Sequence, residues 1–196
     1  MTQTNPNPDS PVMEFLLTRR SYPAAALKGP GPDAAALETL LTAAARVPDH
    51  GKLEPWRFIV IDGAAKARLS ALVADRGAAL GIDPEKTAKA ARSWAEAPLI
   101  VAVVMVPRPS DKVPQIEQTL SAGAVCLSLV NAALASGWGA AWLTGWAAFD
   151  RVFVETGLGL AAEEQIAGFV HLGRCGTPPV ERPRPDIRAL TQWVTA

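Results

Sequence analysis

The apolar positions change spacing several times along the chain, and each change marks an element. Residues 99–106, LIVAVVMV, are rich in β-branched side chains, uncharged and bounded by prolines, which predicts a strand covered on both faces. Residues 58–61 predict a short strand of the same fully buried kind, and residues 165–174, QIAGFVHLGR, a third strand. Elsewhere the spacing is helical. Ser10 followed by Pro11 predicts an N-cap and a helix running to about Arg20. Residues 22–32 read as loop. Asp33 caps a second helix that places Leu37, Leu40, Leu41 and Ala44 on one face. Residues 64–79 and 84–95 read as amphipathic helices, the second rich in Ala, Lys and Arg and ended by Pro98. Residues 116–136 predict a long helix with almost no polar face. A helix apolar all round has to be covered on every side, and in a chain of 196 residues a second copy of the chain is the expected source of that cover.

The remaining segments are less regular. Residues 137–146, GWGAAWLTGW, are rich in Gly and Trp, residues 149–157 read as a short helix, and DIRALTQWV near the end reads as a short amphipathic piece. The order is neither βαβ alternation nor a run of hairpins. It predicts an α+β layer fold, a mixed sheet with large helices against it. Residues 1–10 are expected to be a disordered tail before a single domain over 11–196.

Composition narrows the function classes. Nineteen basic and nineteen acidic residues leave no net charge, so nothing favours nucleic acid or an anionic membrane, and self-association is unopposed. The start, MTQTNPNPDSPV, lacks the basic and apolar regions of a signal peptide. The apolar runs are broken by Gly, Ser, Asn or Pro before they reach the length of a membrane span. A cytoplasmic protein is expected. Cys126 and Cys175 form no Cys/His cluster, so no metal site is expected, and Cys126 reads as core.

Several familiar motifs fail on context. GLGLAA, 157–162, has the spacing of a dinucleotide fingerprint but follows a helix instead of a strand. The prolines of GPGPDA remove backbone donors that a phosphate needs. There is no nucleophile elbow, no phosphate-binding P-loop and no zinc-hydrolase set.

Three stretches carry chemistry, each with two readings. Arg19-Arg20-Ser21 is either a cationic helix end that complements the dipole or an anion clamp. The hinge AARVPDHGKLEPW holds Arg46, His50 and Lys52 within seven residues, more polar groups than a turn requires. Residues 137–145 let backbone approach a flat ligand, with Trp138, Trp142 and Trp146 as stacking surface, or else form a bulged strand with core tryptophans.

In this order the three stretches resemble the FMN-dependent nitroreductase family, including its short single-domain members. The resemblance rests on LLTRRS (16–21), ARVPDHGKLEPWRFIVI (44–61), APLIVAVV (97–104), the apolar helix ending in GWGAAWLTG (118–145), and GFVHLG (168–173). It implies an α+β homodimer whose mixed, mainly antiparallel sheet is flanked by helices. FMN would sit at the dimer interface, touched by both chains, with NAD(P)H as electron donor. By the same resemblance, Arg19, Arg20 and Ser21 would hold the FMN phosphate and ribityl region. Arg46 and His50 would lie along the flavin of the same site or its dimer mate, and Lys52 would donate to a flavin carbonyl. Trp142, Leu143 and Thr144 would line the ring, and Ala132, Ala133, Leu134, Ala135, Ser136 and Gly137 would meet the nicotinamide.

The chain departs from the family in two places. Lys52 and Glu54 stand where many members have Asn and Gln, and Pro23-Ala24-Ala25-Ala26 where many carry another Arg. The implied activity is hydride transfer from nicotinamide to flavin N5, then to a nitroaromatic or quinone-like acceptor, by ping-pong kinetics. No side chain is assigned as catalytic. Residues 80–95 and 107–117 are expected to shape the pocket mouth. The alternatives are other flavin chemistry (fragmentation, dehalogenation or enoate reduction) and a flavin-binding protein with little turnover.

Overall fold

A strand with no polar face needs a layer on each side. The computed structural model describes residues 8–195, and in it the run Leu99–Met105 is buried at every position. Around it, in chain order, lie α1 (Pro11–Thr18), α2 (Ala34–Ala44), β1 (Trp56–Ile61), α3 (Ala64–Ala79), α4 (Pro84–Ala95), the buried strand itself as β2 (Leu99–Met105), α5 (Gln115–Ala135), β3 (Gly139–Leu143), β4 (Gln165–Gly173) and α6 (Ile187–Leu190). The sheet order is β1-β2-β4-β3 and every pair is antiparallel.

Alternation along β2 divides the core. Leu99, Val101 and Val103 face α2 and α5, meeting Leu37, Leu40, Val125 and Leu129. Ile100, Ala102 and Val104 face the other layer, with Leu69 and Val73 of α3 and Trp94 of α4. Trp94 meets Phe153 and Phe169 edge-on, with ring centroids 5.2 and 4.9 Å apart.

The expected caps form. Ser10 Oγ accepts from Met13 N at 3.3 Å and Asp33 Oδ1 from Ala36 N at 2.9 Å. Cys126 is core, and burial pushes its thiol up to about 12. Residues 1–7 of the expected disordered tail lie outside the described residues.

Four expectations need correction. The strand expected at 58–61 begins at Trp56 and is only half-buried, because β1 is a sheet edge; Val60 is 46% exposed. α1 stops at Thr18, not Arg20, since Arg19 turns extended with ψ 141. The segment read as loop holds a 3₁₀ turn, Ala24–Ala26, and bridges to β4 through Lys28 and Arg174. The short helix expected at 149–157 contains a π-helical turn, Phe153–Gly157.

By length and composition α5 is apolar enough to cross a membrane. Here it is a core helix: eight of its residues are buried, Leu129 and Val130 among them. Ile116, Leu120 and Leu127 stay 62%, 64% and 46% exposed along its outer side.

Two ion pairs tie loops to the framework. Arg57 grips Glu164 through two bonds of 2.7 and 2.6 Å, and Arg76 grips Asp150 at 2.7 and 3.1 Å. Each guanidinium holds its carboxylate partner below the usual range. A group whose folded pKa is depressed stabilises the fold above its unfolded pKa and loses that contribution as pH falls through the folded value. Stability is therefore expected to drop as pH falls below about 4. Urea midpoints measured against pH check this, with a shallower acid slope expected for the Asp150→Asn, Glu164→Gln double variant.

Candidate functional site

Arg19, Arg20 and Ser21 follow α1 and are pinned to the free edge of the sheet, where Tyr22 N donates to Ala140 O of β3 at 3.0 Å. Arg19 Nη2 donates to Ser21 Oγ at 3.0 Å, while Arg19 Nε is buried with no partner. Arg20 is engaged differently. Its Nη1 donates to Val180 O at 2.6 Å and meets Glu181 Oε1 at 3.3 Å, so the C-terminal segment closes over it. Arg184 reaches the same carboxylate at 3.0 Å. The backbone N–H of Arg182, then the Arg184 and Arg20 cations, hold Glu181 below the usual range. A cavity of about 330 Å³ opens here, lined by both arginines and by Leu134 of α5.

The hinge before β1 is built on unusual backbone. Gly51 has φ +76, and Lys52 and Glu54 also take positive φ, 52 and 47, costly for residues with a Cβ. Asp49 Oδ2 accepts from Glu54 N at 2.8 Å and fixes the turn. Ser121 of α5 donates to Pro48 O in a short bond. His50 Nδ1 meets Glu117 Oε2 at 2.7 Å. Arg46 and Lys52 are exposed and form no salt bridge among the described residues.

Trp142, Leu143 and Thr144 close β3. The Trp142 indole lies flush on β4 because position 168 is Gly; a Cβ there would fall on its Nε1, which donates to Ala167 O at 3.3 Å. All three residues line a cavity of about 560 Å³ with Trp94, Trp146, Phe169 and His171. The ring nitrogens Trp146 Nε1 and His171 Nδ1 are buried without partners among the described residues. Burial pushes His171 down to about 4, so its ring is neutral at physiological pH. Along the end of α5, Ala133 is sealed in the core and Ala132 is half-buried, whereas Ala135, Ser136 and Gly137 are exposed.

Within one chain, then, the sequence-predicted residues fall into three groups. Leu134 joins Arg19 and Arg20. Trp142, Leu143 and Thr144 line the 560 Å³ cavity. His50 lies with Pro48, Glu117 and Ser121 in a separate hollow of about 340 Å³. Of the segments expected at the pocket mouth, α4 lines the 560 Å³ cavity through Lys86, Lys89, Ser93 and Trp94, while the segment from Pro107 to Gln115 lines another hollow. Sequence reasoning named Trp146 as a stacking surface and put residues 80–95 at the pocket mouth, but it did not single out Lys86, Lys89 or His171, nor the contact of Val180 and Glu181 with Arg20. The spacing of the lysines on α4 was a signal, read there only as amphipathic character.

Residues 16–174 match the Nitroreductase family. The protein named "Putative NAD(P)H nitroreductase YdjA" of Escherichia coli (strain K12) is 37% identical over 162 residues, covering 83% of this chain and 87% of that protein. A nitroreductase-like family protein from Bacillus cereus has the same fold, with TM-score 0.79 and 20% identity over 99% of this chain and 98% of that one. So does the FMN and NADPH-dependent nitroreductase NfnB of Sphigopyxis sp. strain HMH, with TM-score 0.72 and 20% identity over 93% and 98%. The chain belongs to the nitroreductase family.

Gly168→Ala is expected to drive the Trp142 indole off β4 and cost about 1–3 kcal/mol, read as a shifted tryptophan emission and a lower denaturant midpoint. In the hinge, Lys52→Gly and Glu54→Gly are each expected to raise stability by about 1 kcal/mol by relieving positive φ. Matched denaturation curves check this; a loss of stability in both would show that the loop is unstrained.

Proposed function

We propose that the chain is an FMN-dependent NAD(P)H oxidoreductase that reduces a nitroaromatic or quinone-like acceptor by ping-pong kinetics. It would act as a cytoplasmic homodimer, with residues 11–196 as its one domain. The observation that carries this reading is Arg19, whose Nε is buried without a partner while Ser21 fixes its Nη2. A guanidinium edge left open beside a hydroxyl suits phosphate oxygens, and FMN carries a phosphate. The flat Trp142 surface on the same edge strand suits its ring. The residues present therefore fit the cofactor, and the names of YdjA and NfnB, which specify NAD(P)H for one and FMN with NADPH for the other, support it.

When bound, FMN supplies the redox centre that accepts hydride from the nicotinamide and returns it to the acceptor. Arg19 and Ser21 would hold its phosphate end. Arg20 would join them where the phosphate displaces Glu181. Trp142, Leu143 and Thr144 would line the ring and ribityl face, and their apolar surroundings would keep water out. Ala132, Leu134, Ala135, Ser136 and Gly137 would receive the nicotinamide; Ala133, sealed in the core with its carbonyl accepting from Ser136 N and Trp138 N, would only back them.

Arg46, His50 and Lys52 lie apart from this edge in a single chain. The exposed apolar side of α5 beside the hinge suits a second copy, which would carry its own hinge to the first chain's site. Lys52 there would favour added negative charge, with Glu54 partly offsetting it. No side chain is assigned as general acid; the acceptor's proton would come from water.

The test is the visible spectrum of the purified protein with FMN, then NADPH or NADH, without oxygen. A bound-flavin spectrum that bleaches is expected. Arg19→Ala and His50→Ala are expected to weaken FMN binding at least about tenfold, the worth of one charge-assisted hydrogen bond, with the dimer intact by size exclusion. Unchanged titrations for both variants would remove these assignments.

A further inference from the structure

α4 carries Lys86, Lys89 and Arg92 at i, i+3 and i+6, a spacing that puts them along one side of the helix. None forms a salt bridge among the described residues. Lys86 and Lys89 line the 560 Å³ cavity. Lys89 and Arg92 line an adjoining one of about 500 Å³, but Glu96 lines that too. The larger cavity has no carboxylate in its lining, so its two ammonium groups are unneutralised. Its aromatic wall is Trp94, Trp146 and Phe169. Trp146 Nε1–H, which can only donate, is buried without an acceptor.

These three features specify a ligand. Aromatic walls take a flat ring. An orphaned indole N–H calls for an oxygen on that ring. Two exposed lysines with no carboxylate beside them in the cavity favour an anion, through an attraction that salt screens. His171 adds no charge, being neutral through burial. We infer that this cavity binds an aromatic acid as the electron acceptor: the ring lies among Trp94, Trp146 and Phe169, a nitro or carbonyl oxygen accepts from Trp146 Nε1, and the acid group meets Lys86 and Lys89. The role as acceptor rests on the oxidoreductase reading, whereas binding of the acid does not. An anion could also come from the electron donor, as the 2′-phosphate of NADPH. The acceptor is favoured because the lysines and the aromatic wall belong to one cavity.

The experiment is calorimetric titration of the purified protein with 4-nitrobenzoate and with 4-nitrobenzamide, which keeps the ring and nitro group but is neutral. The benzoate is expected to bind about tenfold more tightly, as a charge-assisted contact would give, and the margin is expected to shrink in high salt. In the Lys86→Gln, Lys89→Gln double variant it is expected to vanish. Equal affinities in the wild type, or an unchanged margin in a variant folded by circular dichroism, would overturn the inference. So would a variant that keeps the benzoate margin but binds NADPH more weakly than the wild type while binding NADH equally, since the lysines would then serve the donor. Visible spectra of the same samples test the flavin reading separately: a benzoate margin without flavin binding would remove the oxidoreductase reading and leave this site in place.

Discussion

The two-sided burial of β2 is the constraint from which the rest follows. Seven apolar residues with no polar face cannot lie at an edge or under a single layer. They take a central place in the sheet, with β1 and β4 as neighbours, α2 and α5 on one side, and α3 and α4 on the other. That arrangement leaves β1 and β3 as the two edges. β1 begins directly after the hinge, so Trp56 and the backbone before it are held by the sheet. β3 is short, and its outer side receives the segment after α1 through Tyr22 and Ala140. The arginines are thus delivered to the edge strand that ends in Trp142 and Leu143. Core burial, not any direct attraction between these groups, puts them along one sheet edge, in separate cavities.

The contrast between satisfied and unsatisfied charges separates framework from site. Arg57 with Glu164 and Arg76 with Asp150 are bidentate pairs whose carboxylates are nearly enclosed, and each fastens a loop to a strand or helix. Removing one partner would strand the other. Arg19, Lys86 and Lys89 have no such partner, and Trp146 and His171 bury ring nitrogens with none. Native interiors rarely leave buried nitrogens such as those of Arg19, Trp146 and His171 open, whereas the two lysines are exposed. Trp146 and His171 share one cavity with the two lysines, which marks that cavity as built for something besides folding.

Local signals were legible in the sequence and long-range ones were not. Ser10 and Asp33 were readable as caps because each bonds a backbone N–H only three residues on. β2 and α5 were readable because their apolar pattern is continuous. The edge character of β1 was not, since WRFIVI looks alike in the centre of a sheet or at its margin, and only strand order decides. The Arg20–Glu181 contact spans 161 positions and has no local signature. The lysines of α4 were visible as charges, but their role depends on which side of the helix meets the cavity. The α+β class, the hinge turn and the family motifs could be read directly, whereas the division of the predicted site into three places within one chain could not.

That division bears on how the site can be completed. The hinge residues sit beside the first half of α5, whose outer positions Ile116 and Leu120 are exposed, while Leu134 near its far end lies with Arg19 and Arg20. A 21-residue helix at 1.5 Å per residue spans about 30 Å. One flavin cannot readily touch both ends of that helix in a single chain. A two-fold axis near the middle of α5 would bring the hinge end of one copy against the arginine end of the other, burying the exposed leucines in the same step. On this argument the polar hinge and the apolar helix face would be one device: in a dimer the first would have its ligand only where the second had its cover.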